Sequence, residues 1–113
     1  MKEASILKDV QYNEHKPIIT VLFETDFTKE IRIAMHDGTA MKEHKTSFPI
    51  VINVLEGSID FGVNGEVKRL DAGALIALDS NVPHDLKALE NSIVRLTLTK
   101  YDNTARVANV AGN

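Results

Sequence analysis

The chain has 113 residues, which is enough for one hydrophobic core and too short for a second domain of ordinary size. Its 13 Lys and Arg residues against 16 Asp and Glu residues give a net charge of −3. No basic stripe suited to a phosphate backbone is present, so nucleic acid is not expected as a partner. The absence of cysteine excludes disulfides and thiolate chemistry. No apolar stretch is long enough for a membrane span or a signal peptide, so a cytoplasmic protein is expected.

Apolar and polar residues alternate with a period of two along most of the chain. Ile31, Ile33 and Met35, for example, share one face of a predicted strand, which is typical of a sheet with one side on a core. The dipeptides Asp37-Gly38 and Asn64-Gly65 accept positive φ and close tight hairpins. Strands are predicted near residues 18–24, 29–36, 40–46, 50–56, 58–63, 66–70, 74–78, 84–89 and 92–100. Many short strands at even spacing indicate an all-β sandwich or barrel.

The two ends and one strand are set apart from this pattern. Residues 1–12 are predicted to form either a strand or a short helical turn, and residues 102–113 a flexible C-terminal tail, which leaves one domain over residues 1–101. Residues 50–55 are apolar on both faces apart from Asn53. A strand of this kind has to be covered on both sides. A second sheet is expected on one side and a partner subunit on the other, which favours a homodimer.

Two of the four histidines lie in segments bounded by glycines. The first segment reads Gly38, five residues, His44-Lys45-Thr46, three residues, Ile50, six residues, Gly57. The second reads Gly73, five residues, Asp79-Ser80-Asn81, two residues, His84, three residues, Ala88. Because residues two apart on a strand face the same way, His44 and Thr46 are expected to share a face, joined by Lys42 if the strand is regular.

These spacings resemble the two motifs of the cupin superfamily. The first motif is Gly, five residues, His-x-His, three or four residues, Glu, six residues, Gly; here Thr46 stands in place of the second His and Ile50 in place of the Glu. The second is Gly, five residues, Pro-x-Gly, two residues, His, three residues, Asn; here His84 is kept, and Asn81 replaces a Gly and can take its positive φ. The resemblance covers about residues 30–100. It implies an all-β fold, the cupin double-stranded β-helix, or jelly-roll barrel.

The resemblance also implies a pocket that keeps only part of the family's set of metal ligands. The predicted pocket residues are His44, Thr46, Ile50 and His84, and only His44 and His84 are of ligand type for a zinc, nickel, iron or manganese ion. Two imidazoles give a weak, exchangeable site, because a tight zinc site uses at least three protein ligands. His36 could supplement the site or simply lie beside its turn, while His15 is expected to be solvated.

Three functions remain open on this basis. The leading hypothesis is a non-catalytic or sensory barrel that binds a small, partly apolar ligand near His44 and His84. The alternative is a metal-dependent enzyme of the dioxygenase or isomerase type acting on a small molecule. The third is an interaction module whose surface matters more than its pocket. No catalytic residue is assigned, because fold does not fix activity.

Overall fold

The structure, a computed structural model, describes residues 1–100 and contains nine β-strands and no helix in that range. The strands are β1 (Ile18–Glu24), β2 (Thr28–Met35), β3 (Ala40–His44), β4 (Ile50–Glu56), β5 (Ser58–Val63), β6 (Glu66–Asp71), β7 (Leu75–Leu78), β8 (His84–Ala88) and β9 (Ser92–Thr99). The all-β prediction is confirmed. The predicted tail at 102–113 lies outside the described residues. No helix in the described part of the chain could span a membrane.

The strands form two antiparallel sheets that face each other. One sheet has the order β1-β2-β9-β4-β7 and the other the order β3-β8-β5-β6. The inward side chains form one apolar core, whose members are Ile31, Ile33, Met35, Ile50, Ile52, Val54, Ile59, Phe61, Leu86, Ala88 and Val94. This is the arrangement that the period-two patterning predicts, since successive residues of a strand point to opposite faces.

Strand β4 has apolar side chains on both faces, as its sequence indicates. Ile52 and Val54 point into the core and are almost completely buried. On the opposite face, Leu55 lines a cavity together with Ile6 of the N-terminal segment. The N-terminal segment therefore covers part of the outer face where a partner subunit was expected. The homodimer stays a prediction.

The N-terminal segment, residues 1–17, contains neither a strand nor a helix and crosses the outer face of the five-stranded sheet. A single turn, closed by the Lys8 amide donating to Ser5 O, is its regular feature. Arg32 points outward from β2, and its Nη1 donates to the carbonyls of Ile6 and Lys8 at 3.2 and 3.0 Å. Because these two carbonyls are not part of a sheet, the hydrogen bonds from Arg32 satisfy them and attach the segment to the barrel.

Candidate ligand site at a histidine pair

The histidines His44 and His84 are directly opposite each other on neighbouring strands. Strand β3 pairs with β8 so that Met41 faces Leu86 and His44 faces His84, with a shift of register between the two pairs. Leu86 and His84 are two residues apart and both are buried, so they share the inward face. A β-bulge in β3 therefore turns Met41 and His44 inward although they are three positions apart.

The same bulge corrects one expectation from the sequence. A regular strand would have placed Lys42 beside His44 on the inward face. Instead, Lys42 and Glu43 are both exposed, and Met41 occupies the inward position. The strand also ends at His44, so Thr46 lies beyond it and the argument from a shared strand face does not apply. A bulge inserts one residue without a sequence signal that period-two patterning can detect.

The two imidazole rings are in contact and have the same tautomer. Their centroids are 4.4 Å apart with an angle of 60° between the ring planes. Nδ1 of His44 lies 2.7 Å from Lys42 O, and Nδ1 of His84 lies 2.9 Å from Val82 O. Since a carbonyl oxygen can only accept, each Nδ1 carries the proton and donates it. In the neutral ring, Nε2 is then left with a free lone pair, the arrangement typical of metal-binding histidines.

The surroundings of His84 are apolar and keep it neutral. His84 is 3% exposed. Its ring stacks against Phe61 at a centroid distance of 5.8 Å, and Val63 is its neighbour on β5. Burial lowers the pKa of His84 below its usual value of 6.5, and the hydrogen bond to Val82 partly opposes this shift. His44 is only partly buried, so it is the member of the pair that reaches the solvent.

The other two predicted pocket residues have partners of their own. The Thr46 hydroxyl donates to Phe48 O at 2.7 Å, and Thr46 O accepts a hydrogen bond from the Asn81 amide. Asn81 has the positive φ, 63°, that its place in the second motif predicts. Ile50 is 2% exposed and belongs to the core. The Thr46 hydroxyl proton is therefore already donated within the chain, and the pocket roles of Thr46 and Ile50 remain predictions.

The donor set beside the pair is too small for a tightly held divalent metal. Among residues 1–100, no three His, Cys, Asp or Glu side chains come close enough together to hold an ion, so His36 does not join His44 and His84. His36 instead contacts Asp37 O through Nδ1, and His15 is exposed. Two imidazoles fit a weak site completed by water or by a bound molecule, and not a resident zinc or iron centre.

Cavities of the described chain also lie on the outside of the barrel. One of about 330 Å³ lies at the β5–β6 hairpin beside Glu43 and Asp85. Another, of about 250 Å³, lies under the N-terminal segment beside Ile6, Leu55 and Arg95. Neither is lined by the histidines. These two cavities therefore lie apart from the site predicted at His44 and His84.

Comparison with known proteins agrees with the fold. The model of the cupin domain family matches residues 31–100. An RmlC-like cupin from Desulfovibrio desulfuricans is 22% identical over 88% of this chain and 96% of its own, with a TM-score of 0.81. TT1209 from Thermus thermophilus is 20% identical over 88% and 98%, with a TM-score of 0.78. KdgF from Halomonas sp. is 18% identical over 80% and 93%, with a TM-score of 0.70. No curated protein matches the chain.

Proposed function

This chain belongs to the cupin family, and from that premise we propose that it is a small binding barrel, non-catalytic or sensory. It holds a small molecule or a weakly bound divalent metal ion beside His44 and His84. The observation that carries the proposal is the paired imidazoles, with centroids 4.4 Å apart and both Nδ1 atoms donating to backbone carbonyls. That pairing leaves two preoriented acceptor nitrogens for a ligand.

The chemistry around the pair supports binding in preference to catalysis. Phe61 and Val63 form an apolar wall beside His84. Ligand sites usually combine apolar walls with a few polar groups, and the residues around His84 are of these two kinds. Among residues 1–100, the pair has no third metal ligand of the His, Cys, Asp or Glu type. The matching ligand is a small, partly apolar molecule with a hydrogen-bond donor.

We also propose that the protein is a homodimer. Ile19 and Val21 lie on β1, an edge strand of the five-stranded sheet, and are 56% and 48% exposed. An edge strand with exposed apolar side chains is a surface that proteins usually cover. Light scattering at micromolar concentration is expected to give twice the chain mass. A monomer under these conditions would refute this part of the proposal.

The test of the binding function uses untagged protein and a histidine control. Bound metals are measured by mass spectrometry, and thermal shifts are measured with a panel of small apolar acids and alcohols. The wild type is compared with the His44→Ala/His84→Ala double variant and with His15→Ala, which removes an exposed histidine away from the pair.

The proposal predicts a thermal shift in the wild type and in His15→Ala that the double variant lacks. Stoichiometric zinc, nickel, iron or manganese lost only in the double variant would instead favour the metal-dependent enzyme. Equal behaviour of all three proteins would contradict any role of the pair in binding. The interaction module would then be the remaining hypothesis.

A further inference from the structure

A third inward side chain, the thioether of Met41, accompanies the two histidines on β3 and β8. Met41 is paired with Leu86, so Met41 and His84 are diagonal neighbours on one face of an antiparallel pair. Such neighbours lie about 7–8 Å apart, a distance that long side chains bridge. Methionine is unbranched and has three rotatable bonds. Met41 packs against the core but is only partly buried, so part of its side chain is accessible.

The donors available on this face are soft or borderline. They are two imidazole nitrogens and one thioether sulfur, and the described residues bring no carboxylate or third histidine to the pair. Zinc, nickel, iron and manganese sites are usually completed by carboxylates or further imidazoles, whereas thioether sulfur favours Cu(I). A single positive charge also costs less to bury beside Phe61 and Val63 than a double one does.

We propose that the site prefers Cu(I), bound by Nε2 of His44, Nε2 of His84 and Sδ of Met41. This proposal rests on the binding role proposed above for His44 and His84, and it replaces the divalent ion named there with monovalent copper. The bulge in β3 is the structural reason, because a regular strand would have put Lys42, a cation, at the position that Met41 takes. The third ligand, Met41, is therefore a property of this chain's own backbone irregularity and not of the glycine and histidine spacing.

The test is an anaerobic Cu(I) titration in competition with a chromophoric Cu(I) chelator, beside a Zn(II) titration with a zinc indicator. The variants are Met41→Leu, which removes the sulfur at nearly constant volume, and Met35→Leu, the same change at a fully buried core position. The His44→Ala/His84→Ala variant is included. X-ray absorption of the copper-loaded wild type provides a measurement that depends on no variant.

One Cu(I) per chain is expected, bound more tightly than Zn(II), with a sulfur neighbour in the absorption spectrum. Met41→Leu is expected to weaken Cu(I) binding by about 10–100-fold or more, the range seen when residues around a metal site are changed. It is expected to leave Zn(II) binding unchanged. Met35→Leu is expected to leave both unchanged.

Two results would overturn the copper proposal alone. They are a copper spectrum without sulfur and a Met41→Leu variant that binds Cu(I) as tightly as the wild type, while the histidines still govern binding of Zn(II) or of a small molecule. If the double histidine variant binds every probe as the wild type does, the proposed function fails as well.

Discussion

Acidification is expected to destabilise the protein through His84. This imidazole is 3% exposed, and burial is the main cause of a pKa below 6.5; the hydrogen bond to Val82 opposes the shift and the neighbouring His44 adds to it. The unfolded chain titrates near the usual value of about 6.5. Between that value and the lower folded-state pKa, the unfolded state binds more protons. The contribution of neutral His84 to the free energy of unfolding is therefore fully present above about pH 6.5 and is lost as the pH falls towards the folded-state pKa.

The slope of this loss has an upper limit. One proton taken up on unfolding changes the free energy of unfolding by at most about 1.4 kcal/mol per pH unit. Domains of this size usually have a total stability of about 5–15 kcal/mol, so one pH unit inside the window is a measurable fraction. The limit applies to the titration of His84 alone.

Urea unfolding between about pH 7.5 and 5.5 measures the effect. His84→Asn is the informative variant, because its amide can donate to Val82 O as Nδ1 does but cannot become charged. The free energy of unfolding of the wild type should fall more steeply on acidification than that of His84→Asn, while His15→Asn should behave as the wild type. Equal slopes for wild type and His84→Asn would refute the claim that His84 is buried as a neutral imidazole.

Three further substitutions test packing and hydrogen bonding in the barrel by thermal or chemical denaturation. Gly57→Ala should lower the free energy of unfolding by about 2–5 kcal/mol, because Gly57 has a φ of +84° and the new Cβ would lie 2.2 Å from Ser92 Oγ. Gly65→Ala should lower it by only about 1–2 kcal/mol, because Gly65, at φ +77°, has open space where its Cβ would lie. Equal losses of stability would contradict the steric argument. Phe61→Ala should cost about 3–5 kcal/mol and, by hydrating the histidine that stacks on it, raise that histidine's pKa in an NMR titration; an unchanged pKa would show that burial is not its cause. Glu30→Gln should cost about 1.5–3 kcal/mol, because its 6% exposed carboxylate accepts charged hydrogen bonds; full stability would mean that these bonds contribute nothing.

The strands were predictable because each has one face on the core. The bounds from the sequence agree with the structure within two residues at every strand, since burial of one face imposes the period of two. The N-terminal segment was not predictable in this way. Two of its backbone carbonyls accept hydrogen bonds from Arg32, and hydrogen bonds to a backbone leave no periodic pattern in the sequence.

At the site, glycine spacing was sufficient to predict that His44 and His84 belong together, and the structure places them opposite each other. It was not sufficient for the residues around them. The bulge after Met41 and the end of β3 at His44 depend on pairing with β8, which is a contact between distant parts of the chain. Sequence reasoning therefore misses Met41 and gives Thr46 a strand face that does not extend to it.

On the outer face, Arg95 shows the same limit of the sequence pattern. Alternation along β9 puts it on the face opposite Val94 and Leu96 but does not identify its partner. In the structure its Nη2 and Nε lie 2.7 and 2.8 Å from the Glu30 carboxylate, which also accepts from the Thr97 hydroxyl. The register of β2 against β9 brings these residues together, and register is not encoded in either strand alone.

The central claim is that two imidazoles present unprotonated Nε2 atoms to a shared ligand. Long-range ¹H–¹⁵N NMR of the histidine rings at neutral pH tests it most directly, first on the free protein and then with one equivalent of Cu(I) or Zn(II). Protonated Nδ1 and unprotonated Nε2 are expected for both His44 and His84, with their Nε2 signals moving on metal addition while that of His15 stays in place. An Nε2–H tautomer at either member of the pair, or rings that do not respond to any added metal or small molecule, would contradict the account.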